Sequence, residues 1–280
     1  GLSVDMAGNL SIAWGGRELT WLHPREAAEF EIAAMPENRW QVWRDLQEMG
    51  VDLVVQQKAG RRKKLLLADM DSTMIEQECI DELADLAGVG PQVKGITTKA
   101  MNGELDFEQA LRARVALLEG QPESIIDQAL KTRIFFTAGG AELLATMKSN
   151  GAYTALISGG FTAFTKPVSQ YLGFHEHHAN QLLVDQGVVT GQVSDPILGQ
   201  QAKVEALERL IAQLSITTQD VLAVGDGAND LGMLQRAGSG VALHAKPSVA
   251  AQCDIRINHG DLTALLFLQG YPRSAFRNGV

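Results

Sequence analysis

Leu65-Leu66-Leu67-Ala68-Asp69-Met70-Asp71-Ser72-Thr73 is an unbroken apolar run that ends on two carboxylates spaced i, i+2. A strand that is apolar at every position has both faces covered, which is the habit of parallel sheets with helices on either side. In extended chain, residues i and i+2 project to the same side, so Asp69 and Asp71 can face one spot. The carboxyl end of such a strand is where open α/β sheets bind their ligands. Outward from this stretch the same rhythm repeats. Short apolar runs at 153–158, 221–225 and 240–243 are bounded by Gly, Ser or Asp, and helical patterns lie between them at 141–148, 203–214 and 230–236. Alternating strands and helices predict an α/β fold with a doubly wound parallel sheet.

The segment after Thr73 is too long for one crossover helix. Glu78–Leu86, Phe107–Leu118 and Glu123–Lys131 each read as amphipathic helix, so a helical cap inserted over about 76–135 is expected. Residues 184–191 read as a β-hairpin with a glycine-assisted turn. Residues 1–62 are expected to form a separate small α+β domain, with strands at Leu10–Trp14, Glu18–Leu22 and Val51–Gln56 and a helix at Trp40–Met49. Residues 63–280 then form the main domain. Arg61-Arg62-Lys63-Lys64 reads as a solvated linker flanking the first buried strand.

Composition narrows the function classes. The 280 residues carry 24 Lys+Arg against 33 Asp+Glu, a net charge of −9, so the basic footprint of a nucleic-acid or anionic-membrane binder is missing. Hydrophobic content of 45% with 20% charged residues is that of a globular chain. The longest apolar runs fall far short of the roughly 20 residues a membrane helix needs. The N-terminus shows no basic start followed by an apolar core, and Gly1 in place of Met is read as a processed end. Cys79 and Cys253 are the two cysteines, which suits a reducing compartment, and a cytoplasmic location is expected.

The chemistry-bearing residues sit at the strand ends. Asp69 and Asp71 alone are also compatible with ordinary loop carboxylates, but Gly225-Asp226-Gly227-Ala228-Asn229-Asp230 closes a second apolar strand and adds two acids at the same rim. Four converging carboxylates are unfavourable without a compensating cation. A small number of hard oxygen ligands points to Mg²⁺. Ile157-Ser158-Gly159-Gly160-Phe161-Thr162 puts a hydroxyl and two glycines before a helix start, where free N–H groups attract anions. Lys203 opens another helix, where the dipole disfavours a cation, so something else is expected to hold it. By itself each of these last two signals reads more readily as an ordinary turn and a surface lysine.

Taken in order, Asp-x-Asp-Ser-Thr, Ser-Gly-Gly-Phe-Thr, a lone Lys and Gly-Asp-Gly-Ala-Asn-Asp resemble the haloacid dehalogenase phosphatases, and more narrowly their phosphoserine phosphatase branch. The likeness runs from about residue 65 to about 268 and takes in cap segments 75–82 and 103–112. It implies a Mg²⁺-dependent enzyme that hydrolyses O-phospho-L-serine to L-serine and phosphate as the last step of serine biosynthesis, or a relative acting on another small phosphometabolite. It further implies Asp69 as nucleophile, Asp71 as general acid and base, and Asp69, Asp226 and the backbone carbonyl of Asp71 as metal ligands. Asp230 would hold a metal-bound water or orient Lys203. Ser158, Gly159 and Lys203, with Gly160 in support, would hold the phosphoryl oxygens, and Asn229 would steady the substrate. Glu78 would take the ammonium, Arg112 the carboxylate, and Met101 and Phe107 would form an apolar wall. Without the resemblance, these four cap residues read as ordinary polar and core positions of amphipathic helices. Relatives often carry an ACT-like unit where residues 1–62 lie, which leaves a regulatory ligand-binding role as a rival reading. His175-Glu176-His177-His178 departs from the pattern and is expected to be a loop of exposed histidines. The expected partner is a small-molecule substrate, with a second copy of the chain as the one macromolecular partner considered.

Overall fold

The structure, a computed structural model, describes residues 1–101 and 104–279, apart from the Met101 side chain. Its first elements are α1 (Val4–Ala13), β1 (Arg17–His23), β2 (Ala27–Glu31) and α2 (Arg39–Glu48). The first buried strand is β3 (Leu65–Ala68), followed by α3 (Cys79–Leu86), α4 (Gly90–Met101), α5 (Phe107–Ala116), α6 (Ser124–Thr132) and α7 (Gly140–Ser149). Then come β4 (Tyr153–Phe161), α8 (Thr162–Leu172), β5 (Glu176–Asn180), β6 (Leu182–Asp185), β7 (Val188–Val193) and α9 (Gln200–Leu214). The chain ends with β8 (Val221–Gly225), α10 (Leu231–Arg236), β9 (Ser239–Leu243), α11 (Pro247–Ala250), β10 (Ile255–Ile257) and α12 (Ala264–Leu268).

Six parallel strands form the central sheet in the order β10-β9-β8-β3-β4-β5. β3 is innermost and all four of its residues are buried. Alternation divides them between two cores. Leu66 and Ala68 join the cluster with Leu143, Leu156, Phe164 and Leu222, while Leu65 and Leu67 join Ile157, Leu207, Leu210 and Ala223 on the other face. Ala68 pairs with Leu156 on one side and Val224 on the other, so the three strands run out at one rim.

Five helices lie between β3 and β4: α3–α6 form the insert, α7 leads back into the sheet, and the two segments that enter and leave the insert pair where Ile75 bridges Phe136. The helix α4 escaped the sequence reading because Gly90, Gly95 and the Thr97-Thr98 pair blur its periodicity. The hairpin of β6 and β7 turns on Gln186 and Gly187, both at positive φ, which matches the strand twist. It docks on the helical insert, where Gly120 N–H donates to the Val189 carbonyl at 2.9 Å and Glu123 N–H to Gly187 at 2.8 Å.

Two expectations for the N-terminal region fail. Leu10–Trp14 is not a strand: it continues α1, whose start is capped by Ser3 Oγ accepting from Met6 N–H at 3.0 Å. A short apolar run does not distinguish the two periods, and the cap decides. Val51–Gln56 has no ladder partner. It is held instead by side chains, with the Asp52 carboxylate accepting the backbone N–H groups of Asn258, His259 and Gly260 at 2.9, 3.0 and 2.8 Å. Among the described residues no helix is long and apolar enough to cross a membrane.

Candidate active site

The carboxyl ends of β3 and β8 bring three acids together. One carboxylate oxygen each from Asp69, Asp226 and Asp230 lie within 4.8 Å of one another, a grouping able to hold a metal ion. Lys203 is fully buried, and its Nζ donates to Asp69 Oδ1 at 2.8 Å and to Asp230 Oδ1 at 2.7 Å. The cation that looked misplaced at a helix start is therefore held by two acids. Asp230 is saturated, because its Oδ2 accepts the N–H groups of Asp226 at 3.1 Å and Gly227 at 3.0 Å. This packing explains Gly225: a Cβ there would collide with the Asp230 carboxylate. Asp226 Oδ1 accepts from Thr73 Oγ1 at 3.2 Å.

Asp69 is 5% exposed, and its Oδ1 also accepts from Met70 N–H at 2.8 Å. Asp71 Oδ2 accepts a long 3.4 Å bond from Cys79 N–H at the start of α3, while its Oδ1 is buried with no partner. Burial is the main cause that raises these acids, and neighbouring negative charge adds to it. Asp69 rises well above the usual carboxylate range, helped by Asp230 and opposed by Lys203. Asp71 rises to about 7 through burial and the charge of Glu78, and Asp226 to about 7 through burial and the charge of Asp230. For Lys203 burial acts downward, but the charges of Asp69 and Asp230 outweigh it and the ammonium is held above lysine's usual value. The excess of carboxylates over ammonium at Asp69, Asp226 and Asp230 is a donor set that fits a hard divalent cation.

The phosphate-type loop and the cap close over this rim. Ser158 is 1% exposed, and its Oγ accepts from Gly160 N–H at 2.9 Å. The Phe107 ring, at the start of α5, packs so closely on Gly159 that a Cβ there would sit 3.0 Å from it, and on Gly199 at 3.3 Å. A Cβ at either glycine would make the Phe107 ring give way by a few tenths of an ångström. Asn229 Nδ2 lies beside Gly159, and Asp71 Oδ2 beside Gly160. Glu78 is the N-cap residue of α3, and its Oε1 accepts from Ser72 Oγ at 2.6 Å, with Ser72 in the left-handed region at φ 54°.

A family model for haloacid dehalogenase-like hydrolases matches residues 66–235. The chain belongs to the haloacid dehalogenase-like hydrolase family. It is 47% identical over 204 residues to the phosphoserine phosphatase of Haemophilus influenzae, covering 73% of this chain and 65% of that one. It is 37% identical over 261 residues to the phosphoserine phosphatase of Archaeoglobus fulgidus, covering 92% of this chain and 73% of that one. A solved substrate-bound phosphoserine phosphatase complex superimposes with a TM-score of 0.69 at 42% identity, covering 74% of this chain and 98% of that one.

Not every residue singled out in the sequence reaches the site of this haloacid dehalogenase-like hydrolase. Arg112 does not. It lies on the outer side of α5, donating to Glu108 Oε1 at 2.7 Å and to Asp195. The guanidinium that faces inward is Arg114, whose charge acts on Asp81, Glu78 and Asp71 and whose Nε donates to the Ala110 carbonyl at 3.2 Å. Two positions along a helix is about 200° of rotation, so one of the pair must face away from the other. Helical spacing relative to the inward Phe107 and Leu111 was the available signal: 107, 111 and 114 share a face. Met101 ends α4, and its side chain lies outside the described residues. His175-Glu176-His177-His178 is not a loop but the outer strand β5 and the residue before it. His175 Nδ1 accepts from Thr154 N–H at 3.0 Å, His177 Nδ1 bonds Thr165 Oγ1 at 2.9 Å, and His178 Nε2 meets Glu176 Oε1 at 2.9 Å. Alternation turns His178 to the face opposite His177, and the three imidazoles take different partners, Thr154, Thr165 and Glu176.

Proposed function

We propose that this chain hydrolyses O-phospho-L-serine to L-serine and phosphate, as a phosphoserine phosphatase with Mg²⁺ at the Asp69–Asp226 rim. The observation that carries the reading is that two opposite charges, Glu78 and Arg114, both lie within electrostatic reach of Asp71, beside the Asp69–Lys203–Asp230 cluster. A phosphorylated amino acid carries an ammonium and a carboxylate besides its phosphate, and it needs one protein anion and one protein cation to match. A guanidinium fork suits the carboxylate. The names of the relatives agree with this chemistry.

Asp69 is the nucleophile. Its Oδ1 is fixed by Lys203 and by Met70 N–H, leaving Oδ2 to attack phosphorus in line with the serine oxygen. The P–O bond to serine breaks as Asp71 gives its proton to the departing oxygen, and a phospho-aspartyl group forms on Asp69. Water then attacks phosphorus, Asp71 takes up the water's proton, and the Asp69–phosphorus bond breaks to release phosphate. An Asp71 held near 7 is protonated in a useful fraction before the first step and deprotonated after it. The Ser158 hydroxyl, the Gly159 N–H and Lys203 bind the phosphoryl oxygens, and Asp230 keeps Lys203 aimed at them. Asp69, Asp226 and the Asp71 carbonyl would hold the metal, which would supply neutralisation of the phosphoryl charge. Phe107 and the cap exclude bulk water. Serine biosynthesis in the cytoplasm is the setting this reaction suits.

Purified protein with Mg²⁺ is expected to release phosphate from phosphoserine, and Asp69→Asn to release none. Phosphate release no greater than that of the Asp69→Asn control overturns the assignment.

A further inference from the structure

One buried polar side chain joins the two parts of the phosphoryl-binding machinery and belongs to none of the motifs above. Asn180, the last residue of β5, is 2% exposed. Its Nδ2 donates to the Gly159 carbonyl at 2.9 Å and to the Leu198 carbonyl at 3.2 Å, and its Oδ1 accepts from Leu198 N–H at 2.6 Å. The Gly159 carbonyl shares a peptide unit with Gly160 N–H, and that N–H donates to Ser158 Oγ at 2.9 Å. Acceptance at one lone pair leaves the Ser158 O–H free to donate outward, the direction a phosphoryl oxygen requires. The chain of bonds therefore runs Asn180, peptide 159–160, Ser158 hydroxyl, and each bond polarises the next.

The β-ladder explains why a side chain is needed here. β4 and β5 pair regularly through Ile157 and His178, then the register shifts before Phe161 meets Asn180. Residues 158–160 face Ala179 alone, so two extra residues form a bulge, which aims side chains at a site at the expense of ladder partners. Asn180 supplies the missing donor to the bulged carbonyl. Its other contacts fix Leu198, which leads into Gly199 and the start of α9, the helix that carries Lys203.

We propose that Asn180 is a positioning residue for phosphoryl binding: it fixes the 159–160 peptide, and through it the Ser158 hydroxyl, relative to the α9 start that carries Lys203. This inference rests on the reading of Ser158 and Lys203 as phosphoryl ligands.

Steady-state kinetics of the full chain with Mg²⁺ test it, using phosphoserine and p-nitrophenyl phosphate as substrates and inorganic phosphate as competitive inhibitor. Asn180→Ala is expected to weaken phosphate inhibition about tenfold and to lower kcat/KM about tenfold to a hundredfold on both substrates, the scale of an ångström-level misplacement. Loss on both substrates alike places the defect at the phosphoryl group, away from the Glu78 and Arg114 end. Thr146→Val is the matched control. Thr146 is also fully buried, and its Oγ1 accepts from Arg277 N–H at 2.8 Å, far from the rim. It is expected to lower the melting temperature with the phosphate inhibition constant unchanged. An Asn180→Ala protein whose phosphate inhibition stays within about twofold of wild type overturns the proposal, as does an equal weakening in Thr146→Val. Asn180→Ser replaces the alanine variant if that one is insoluble. If neither variant folds, phosphate titrated into the wild-type chain is expected to shift the Asn180 side-chain amide resonances, and their constancy overturns the proposal. Should the wild type hydrolyse neither substrate, the functional reading fails by itself, and phosphate affinity by calorimetry still decides the role of Asn180.

Discussion

Arg112 and Arg114 show what residue identity alone leaves open. Both are arginines on α5, and the resemblance pointed to the first, but α5 turns the first to solvent and the second toward Asp71 and Glu78. Arg112→Ala removes an exposed contact to Glu108 and Asp195, which exposed ion pairs make nearly neutral. Arg114→Ala removes a charged donor to the substrate carboxylate, worth about 3 kcal/mol. With tenfold per 1.4 kcal/mol, KM for phosphoserine is expected to rise about a hundredfold in Arg114→Ala. In Arg112→Ala it is expected to stay within about threefold, and p-nitrophenyl phosphate hydrolysis to distinguish the two variants far less. Kinetics on both substrates check this, and a larger KM effect at Arg112 would contradict the geometry.

The acids were legible one by one, since each ends an apolar strand, but their mutual influence depends on distances that only the fold supplies. Asp226 has its pKa raised to about 7 by burial and by Asp230. A raised acid favours the protonated form in the native state. Its stabilisation is complete below about pH 4 and is lost as pH rises toward 7. In chelator, wild-type protein is therefore expected to melt lower at pH 8 than at pH 5, and Asp226→Asn to lose less over that interval. The difference is about 1–2 kcal/mol after allowance for partial exposure. Excess Mg²⁺ at pH 8 is expected to reverse the order, because it stabilises only the chain that binds it. Thermal melts at the two pH values, with and without metal, read the sign directly.

At the scale of elements, β3, β4, β8 and β9 were readable because parallel strands buried on both faces leave continuous apolar runs. The short strands β5 and β10 at the two sides of the sheet leave no such run: β5 reads Glu-His-His-Ala-Asn, and its place in the sheet comes from pairing with β4. The turn after β8 was legible as a rim of acids, yet the reason for its glycines is steric. Gly225 is in an ordinary strand, and what forbids a side chain is the Asp230 carboxylate packed against it. Gly225→Ala is expected to push Asp230 from Lys203 and to lower kcat about a hundredfold, while far-ultraviolet circular dichroism stays unchanged. Retention of wild-type kcat would show that Asp230 can move without taking Lys203 with it.

At the scale of the whole molecule, the N-terminal region and the sheet are joined by contacts between residues some two hundred positions apart, which no local pattern announces. Arg256 of β10 lies over the rings of Trp40 at 4.0 Å and Trp43 at 5.0 Å, both on α2. Asp52 accepts three successive backbone N–H groups just past the end of β10, half-buried or exposed donors that no ladder strand pairs. Val51–Gln56 looked like a strand because Val51, Val54 and Val55 are β-formers, but what ties it to the end of β10 is the Asp52 carboxylate. Removing that carboxylate breaks three hydrogen bonds to donors that water can reach, a net loss of about 1–3 kcal/mol for the set. For a chain of this length that corresponds to a fall of about 3–8 °C in melting temperature for Asp52→Ala. None of these bonds reaches Asp69, Lys203 or Ser158, so kcat and KM for phosphoserine are expected to stay within about twofold of wild type at 25 °C. A melting temperature unchanged by the substitution would mean that water replaces the carboxylate at the β10 end. A large loss of activity at unchanged stability would mean instead that the N-terminal region acts on the catalytic rim, a coupling for which these contacts supply no route.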